Sequence, residues 1–281
     1  MKKKITWAIL LIILVIIIVW TIYQNNTVGV THYEVSSDNL PDSFNNYRIA
    51  LITDLHNAVF GKDNIDLLSA IQKESPDIIA ITGDLVDSNH TDIAVALDFV
   101  SKASQIAPCY YITGNHEAYL KAQYAELEAG LIEANVSVLH DDATLLSNGT
   151  DSVMIIGLDD PLFTERDSVV YESMFKTKLS AIERNDEYTI LLSHRPELFN
   201  AYVASQMDLV LSGHAHGGQF RLPFIGGLVA PDQGLFPKYD AGLFTEGHTT
   251  MVVGRGLGES IIPFRFNNQP ELVIITLKSE Q

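Results

Sequence analysis
Six short apolar runs, at residues 48–53, 77–82, 109–113, 153–157, 189–193 and 208–212, constrain what this chain can become. Each is rich in Ile, Leu and Val with few polar interruptions, as strands buried on both faces are. Between them lie segments of helical spacing. Ile65, Leu68 and Ile71 form one stripe, Ile93, Ala96, Leu97 and Val100 a second, and Leu127, Leu131 and Ile132 a third. Pro76 ends the first of these helices, and Pro196 predicts a helix start running to about Gln206. Beyond Gly213 the helical period disappears, and Gly, Pro and aromatic residues surround short strands at 249–254 and 271–277. Alternation of this kind predicts a layered α/β fold.

The residues at the strand ends are as telling as the strands. In open α/β sheets, function collects just past their carboxyl ends. Here Asp54-Leu55-His56 follows the first run, Gly83-Asp84 the second and Gly114-Asn115-His116-Glu117 the third. His194 follows the fifth, and Gly213-His214-Ala215-His216 the sixth. Five of the nine histidines fall at these positions. Imidazoles and carboxylates together suit Mn, Fe, Zn or similar ions, and two such ions about 3.5–4 Å apart can clamp a phosphoryl group. Extended backbone leaving a strand is expected to point both side chains of Asp-x-His, and of His-x-His, the same way. With one cysteine, Cys109, neither an internal disulfide nor a cysteine-based zinc cluster is available.

The order D-x-H, G-D, G-N-H-[DE], a later H, then G-H-x-H resembles that of the calcineurin-like metallophosphoesterases, from about Tyr47 to the C-terminus. GHAHGGQFRLP and GRGLGESIIPFRF are similar to the membrane-anchored, YkuE/YaeI-like bacterial branch of that family. The resemblance implies a four-layer α/β/β/α metallophosphoesterase-type sandwich spanning residues 47–281. It implies one metal held by Asp54, His56 and His216, a second by Asn115, His194 and His214, and Asp84 bridging them. The cofactors would be two divalent ions (Mn, Fe, Zn or Mg). A metal-bridging hydroxide would attack phosphorus in line, with His116 facing the leaving oxygen as proton donor or hydrogen-bond partner. The partner would be a phosphoester or pyrophosphate substrate. Relatives in that branch include enzymes that cleave the pyrophosphate of a UDP-linked lipid precursor, which makes a lipid-linked substrate one option. The alternative is a non-catalytic metal-binding interaction module with the same fold; such modules usually lose ligands, and all are present here.

The first residues carry a separate signal. Ile5 to Tyr23 is apolar except for two threonines, and nineteen helical residues reach about 28 Å, close to the hydrocarbon thickness of a bilayer. Lys2, Lys3 and Lys4 precede it, and no Lys or Arg follows until Arg48. The positive-inside rule then predicts a cytoplasmic tip at residues 1–4, a single-pass anchor at 5–23, and everything beyond on the extracytoplasmic side of the cell membrane. Bulky Val19, Trp20, Ile22 and Tyr23 make a poor cleavage site, so an uncleaved anchor is expected over a signal peptide. Residues 24–46 read as a polar stalk leading into an edge strand near His32 to Val35.

The remaining features are read more plainly. With 35 Asp+Glu against 18 Lys+Arg, three of the latter being Lys2, Lys3 and Lys4, no nucleic-acid partner is expected. Glu117 is expected to orient a turn, and Asp87 either to cap one, the favoured reading, or to partner a ligand. Arg195 either binds a phosphate or is solvated. The apolar loop residues Phe224, Ile225, Leu228, Val229, Leu235 and Phe236 are expected to pack inward.

Overall fold
The computed structural model describes residues 2–259 and 262–280. Ser260 and Ile261, inside the GRGLGESIIPFRF motif, lie outside the described residues. The chain opens with helix α1 (Lys2–Asn25), long and apolar enough to cross a membrane, and none of its described residues is buried.

Twelve strands then build two mixed sheets. The first contains β1 (Gly29–Ser37), β2 (Arg48–Ile52), β3 (Ile78–Thr82), β4 (Cys109–Ile112) and β5 (Val136–Val138). The second contains β6 (Asp142–Asn148), β7 (Asp151–Gly157), β8 (Thr189–Leu192), β9 (Leu209–Ser212), β10 (Gly242–Glu246) and β11 (Thr249–Val253). The last strand, β12 (Glu271–Ser279), returns to the first sheet and inserts between β1 and β2. β2 through β5 run parallel, Ile49 opposite Ile78 and Ile81 opposite Tyr111. β7, β8, β9 and β11 are likewise parallel neighbours, so the carboxyl ends within each set share one rim.

Alternation along each strand divides the interior into three cores. Ile49 and Leu51 of β2, with Ile78 and Ala80 of β3, face Ile190, Leu192, Leu209 and Leu211 of the other sheet. Ala50, Ile52, Ile79 and Ile81 face outward against α2 (Ile65–Glu74), α3 (Ile93–Ala103) and α5 (Tyr124–Glu133). On the opposite side, Ile156, Leu191 and Val210 meet α6 (Tyr171–Ala181) and α7 (Phe199–Ala204). The result is the α/β/β/α sandwich expected.

Two expectations about elements change. The stretch after α1 holds the edge strand expected near His32 to Val35, but more of it belongs to the domain than a stalk would. β1 is nine residues long and pairs in parallel with β12, while Leu40 and Phe44 are buried in the core between the sheets. Polar composition concealed this because an edge strand buries few of its side chains. After Pro196 the chain makes a 3-10 turn (Pro196–Leu198) before α7, rather than one continuous helix.

His140, in the loop before β6, bridges Asp159 and Glu128 at 2.9 Å each. The hydrogen bond to Asp159, followed by the charges of both carboxylates and against partial burial, raises its pKa from 6.5 to about 9. A histidine raised on folding stabilises fully below its unfolded value, and that contribution is lost as pH climbs through its folded value. The thermal midpoint advantage of the parent chain over His140→Asn should therefore be largest below pH 6.5 and fade by about pH 9. An advantage that grew with pH over this range would contradict the pairing.

Candidate metal centre
All seven expected ligand residues meet in the cleft between the two sheets. Asp54 and His56 leave β2, Asp84 leaves β3, and Asn115 with His116 opens α4 (Asn115–Leu120) after β4. His194 follows β8, and His214 and His216 follow β9. The two sheets thus each contribute one half of the centre.

The backbone achieves this differently from the extended path expected. Asp54, His56, Asp84, His214 and His216 have φ of 51°, 45°, 51°, 66° and 47°, all in the left-handed region. A non-glycine residue there costs of order 1–3 kcal/mol and persists where its surroundings over-determine it. Five such residues in one pocket turn their strands sharply enough to aim side chains back into the cleft. Neighbouring glycines give the room. A methyl group on Gly114 would overlap the Asp84 carboxylate, and one on Gly213 would meet the Thr53 hydroxyl and Asp54.

Two nests of donor atoms result. In one, ligand atoms of Asp54, His56, Asp84 and His216 lie within 4.8 Å of one another. His56 Nε2 is 3.2 Å from His216 Nε2 and 3.5 Å from Asp84 Oδ2, and Asp54 Oδ1 is 3.5 Å from His216 Nε2. In the other, His194 Nε2 lies 3.1 Å from His214 Nδ1, 3.2 Å from Asn115 Oδ1 and 3.3 Å from Asp84 Oδ2. Asp84 Oδ2 belongs to both. So many lone pairs converging in a buried space repel one another unless a cation sits among them, and the donor set of imidazole, carboxylate and amide oxygen fits divalent metal.

The atoms turned away from the nests are tied to the protein, which fixes how each ring points. His194 Nδ1–H donates to the Thr82 carbonyl at 2.7 Å, leaving Nε2 to face the cleft. His214 Nε2–H donates to Asp232 at 3.1 Å, leaving Nδ1 free. Asp84 Oδ1 accepts the His116 N–H at 2.8 Å, and Asp54 accepts the His214 N–H at 3.0 Å and the Thr53 hydroxyl at 2.7 Å. Glu117 is fully buried and accepts from the N–H groups of Asp84, Leu85 and Gly114, so it shapes two of the turns, as expected. Burial, then the charge of Asp84, pushes its carboxyl up to about 7.

Electrostatics separate the rings. Burial takes His56 down to about 4 and, with His56 and Arg265 nearby, His216 down to about 3. These two stay neutral, the form that coordinates metal. At His194 burial is outweighed by Asp84 and Asp54, which raise it to about 10, so the proton it holds is one that a cation bound there would displace. The Asp84 carboxyl, despite burial, is held well below the usual carboxylate range by His194, His116 and His56.

His116 stands beside the nests, its ring centroid 4.4 Å from that of His56. The Ser88 N–H donates to its Nδ1 at 3.0 Å, so a neutral ring carries its proton on Nε2. Asp87 Oδ1 lies 3.5 Å from the same Nδ1, giving Asp87 a place next to the ring beyond turn formation.

Arg195 corrects both of its expected roles. It is 2% exposed and neither solvated nor free for a phosphate, since Nε and Nη2 hold Asp160 at 2.6 and 3.1 Å and Nη1 holds Asp232 at 2.6 Å. Through Asp232 it reaches His214. Ser88 and Asp232 carry no local signature in the sequence; Asp160 stands at a strand end and Arg265 inside GRGLGESIIPFRF, but what each holds is revealed only by the tertiary contacts.

The family described as Calcineurin-like phosphoesterase matches residues 47–218. The metallophosphoesterase YkuE of Bacillus subtilis (strain 168) is 29% identical over 263 residues, covering 91% of this chain and 87% of that one. Phosphodiesterase YaeI of Escherichia coli (strain K12) is 26% identical over 235 residues, 82% of each chain. A Bos taurus transmembrane protein with metallophosphoesterase domain is 29% identical over 265 residues, covering 89% of this chain and 57% of that longer one.

Proposed function
The chain belongs to the calcineurin-like phosphoesterase family and is a metal-dependent phosphoester hydrolase, and from that premise we propose a membrane-anchored enzyme with a two-metal centre. Asp54, His56 and His216 would hold one ion and Asn115, His194 and His214 the other, with Asp84 shared between the two. The observation that carries this reading is Asp84 Oδ2, 3.5 Å from His56 Nε2 in one nest and 3.3 Å from His194 Nε2 in the other. Bound divalent ions supply a water whose pKa falls from about 15.7 toward about 7 and neutralise phosphoryl oxygens, the chemistry of in-line displacement at phosphorus.

The protein's own groups supply orientation and a proton. His116 lines a cleft of about 680 Å³ together with Asp84, Asn115, His214 and His216. With Nδ1 accepting from the Ser88 N–H, neutral His116 presents Nε2–H to the leaving oxygen as a hydrogen-bond donor. It delivers a full proton only as the imidazolium, whose Nδ1–H the Ser88 hydroxyl 3.1 Å away can accept. Arg195 and Asp232 hold His214 in the tautomer that coordinates through Nδ1.

Membrane attachment and substrate go together in this reading. Lys2, Lys3 and Lys4 on the N-terminal side of α1 favour a cytoplasmic tip and an extracytoplasmic catalytic domain, which begins at β1. A second cavity of about 480 Å³ is lined by His56 and Asp87 at one side and by Asn25 and Asn26, the end of α1, at the other. A cavity lined both by the end of α1 and by a ligand residue favours a phosphoester or pyrophosphate on a lipid-linked substrate.

The test uses the full chain in detergent with a chromogenic phosphodiester, assayed with Mn, Zn, Fe and Mg in parallel. Activity abolished by a chelator and restored by added ion, with about two ions bound per chain, is the expected result. Chelator-resistant turnover, or less than about one ion per chain, would overturn the assignment.

A further inference from the structure
Of the six apolar residues expected to fold inward between 222 and 236, Leu228 and Val229 are half-buried and the other four turn outward. Phe224 is fully exposed, Leu235 74% and Phe236 64% exposed, and Ile225 58%. They sit on two short hairpins, Arg221–Leu222 paired with Gly226–Gly227 and Val229–Ala230 paired with Gly234–Leu235. Phe264, 48% exposed, joins them by stacking on Phe220 at 5.3 Å. Contiguous exposed apolar side chains on a folded domain mark a contact surface.

The hydrogen bonds say where that surface lies. The Arg265 N–H donates to Asn25 Oδ1 at 2.7 Å, and Asn25 Nδ2 donates back to the Arg265 carbonyl at 2.8 Å. Gln269 Nε2 donates to the Thr27 hydroxyl at 2.8 Å, and β1 begins two residues later. The end of α1 is therefore clamped to the domain one residue from Phe264, with no slack between them. Gln219 donates to the carbonyls of Ile262 and Phe264 at 2.9 and 2.8 Å, which ties the first hairpin to the clamp. The Phe236 N–H donates to the Leu228 carbonyl at 2.9 Å, which ties on the second.

We propose that these two hairpins and Phe264 form an interfacial docking surface for the bilayer that α1 crosses, seating the catalytic domain on the membrane. This rests on the membrane-anchored reading of α1. If α1 spans, its Trp20 and Tyr23 lie at the far interface and Asn25 at headgroup depth, so side chains tethered at Arg265 meet lipid first. Aromatic and branched side chains at a loop tip sink into the boundary between headgroups and acyl chains, as the apolar faces of interfacial elements do.

The test labels the full chain with an environment-sensitive dye at Phe224→Cys, at Leu235→Cys, or at the control Asp186→Cys, exposed at the opposite strand ends. Burial pushes the native Cys109 thiol up to about 12, which keeps it out of the labelling. The labelled chains are reconstituted in phosphatidylcholine vesicles with brominated acyl chains. The only tryptophans, Trp7 and Trp20, are in α1 and report anchoring independently. The proposal expects quenched tryptophan and about a twofold loss of dye emission at 224 and 235 but not at 186, since interfacial faces sink about 5–10 Å. Quenched tryptophan with dyes at 224 and 235 no dimmer than at 186 would leave the anchor standing and overturn the docking surface. Unquenched tryptophan would overturn both. Concentration-dependent self-quenching of the 224 dye in detergent would assign the surface to a second copy of the chain instead.

Discussion

Asp84→Ala is expected to lower turnover by on the order of 10³-fold or more, about 4 kcal/mol of transition-state stabilisation, and to reduce bound metal from two ions toward one. The size follows from position. Asp84 Oδ2 is the atom common to both nests, while Oδ1 holds the His116 N–H at 2.8 Å. Removing the side chain takes a ligand from each ion and leaves a buried N–H unpaired, a cost of about 1–3 kcal/mol in stability. Asp84→Asn separates the two consequences, because it keeps the acceptor for His116 and loses the charge. Both variants should be measured for folding by thermal melt, for metal by elemental analysis and for turnover. A folded asparagine variant with two ions and activity within about tenfold of the parent would remove Asp84 from the bridging role.

His116→Asn should cost about 10²–10⁴-fold in turnover while bound metal stays constant, the magnitude of lost general acid catalysis. Because the role assigned is protonation of the leaving oxygen, the loss should depend on that oxygen. An alkyl phosphoester, whose alkoxide leaves poorly, should suffer more than a nitrophenyl ester, whose phenolate leaves without help. A loss equal for both, or a parallel drop in metal content, would make His116 a structural neighbour of His56, 4.4 Å away between ring centroids, and nothing more.

The sequence carried the layers well because their physics is periodic. Strands β2, β3, β4, β8 and β9 are buried on both faces, so each reads as an unbroken apolar run with ligands directly after it. Elements with one wet face were harder. β6, with Leu145 54% exposed, and α6, whose apolar stripe is only Tyr171, Phe175 and Leu179, leave little pattern to find. Of β1 only the part near His32 to Val35 was legible as an edge strand, for the same reason.

In the site, the residues brought together were legible as motifs, whereas the manner of their convergence was not. Left-handed φ at five of them is a conformational fact with no compositional mark beyond the preference of Asp and His for such turns. Residues that act through one contact were invisible. Arg195 and Asp232 lie 37 positions apart, and no local rule joins them. Phe224, Ile225, Leu235 and Phe236 were misjudged because inward packing is the usual fate of loop hydrophobes, and here the structure turns them out.

The clamp between Asn25 and Arg265 reaches beyond anchoring. With α1 in a bilayer, a domain held without slack sweeps a plane instead of a volume. Encounter with an amphiphilic substrate then follows its mole fraction among the lipids, so inert lipid added at constant total substrate should slow the enzyme by surface dilution. A water-soluble ester would be indifferent to it.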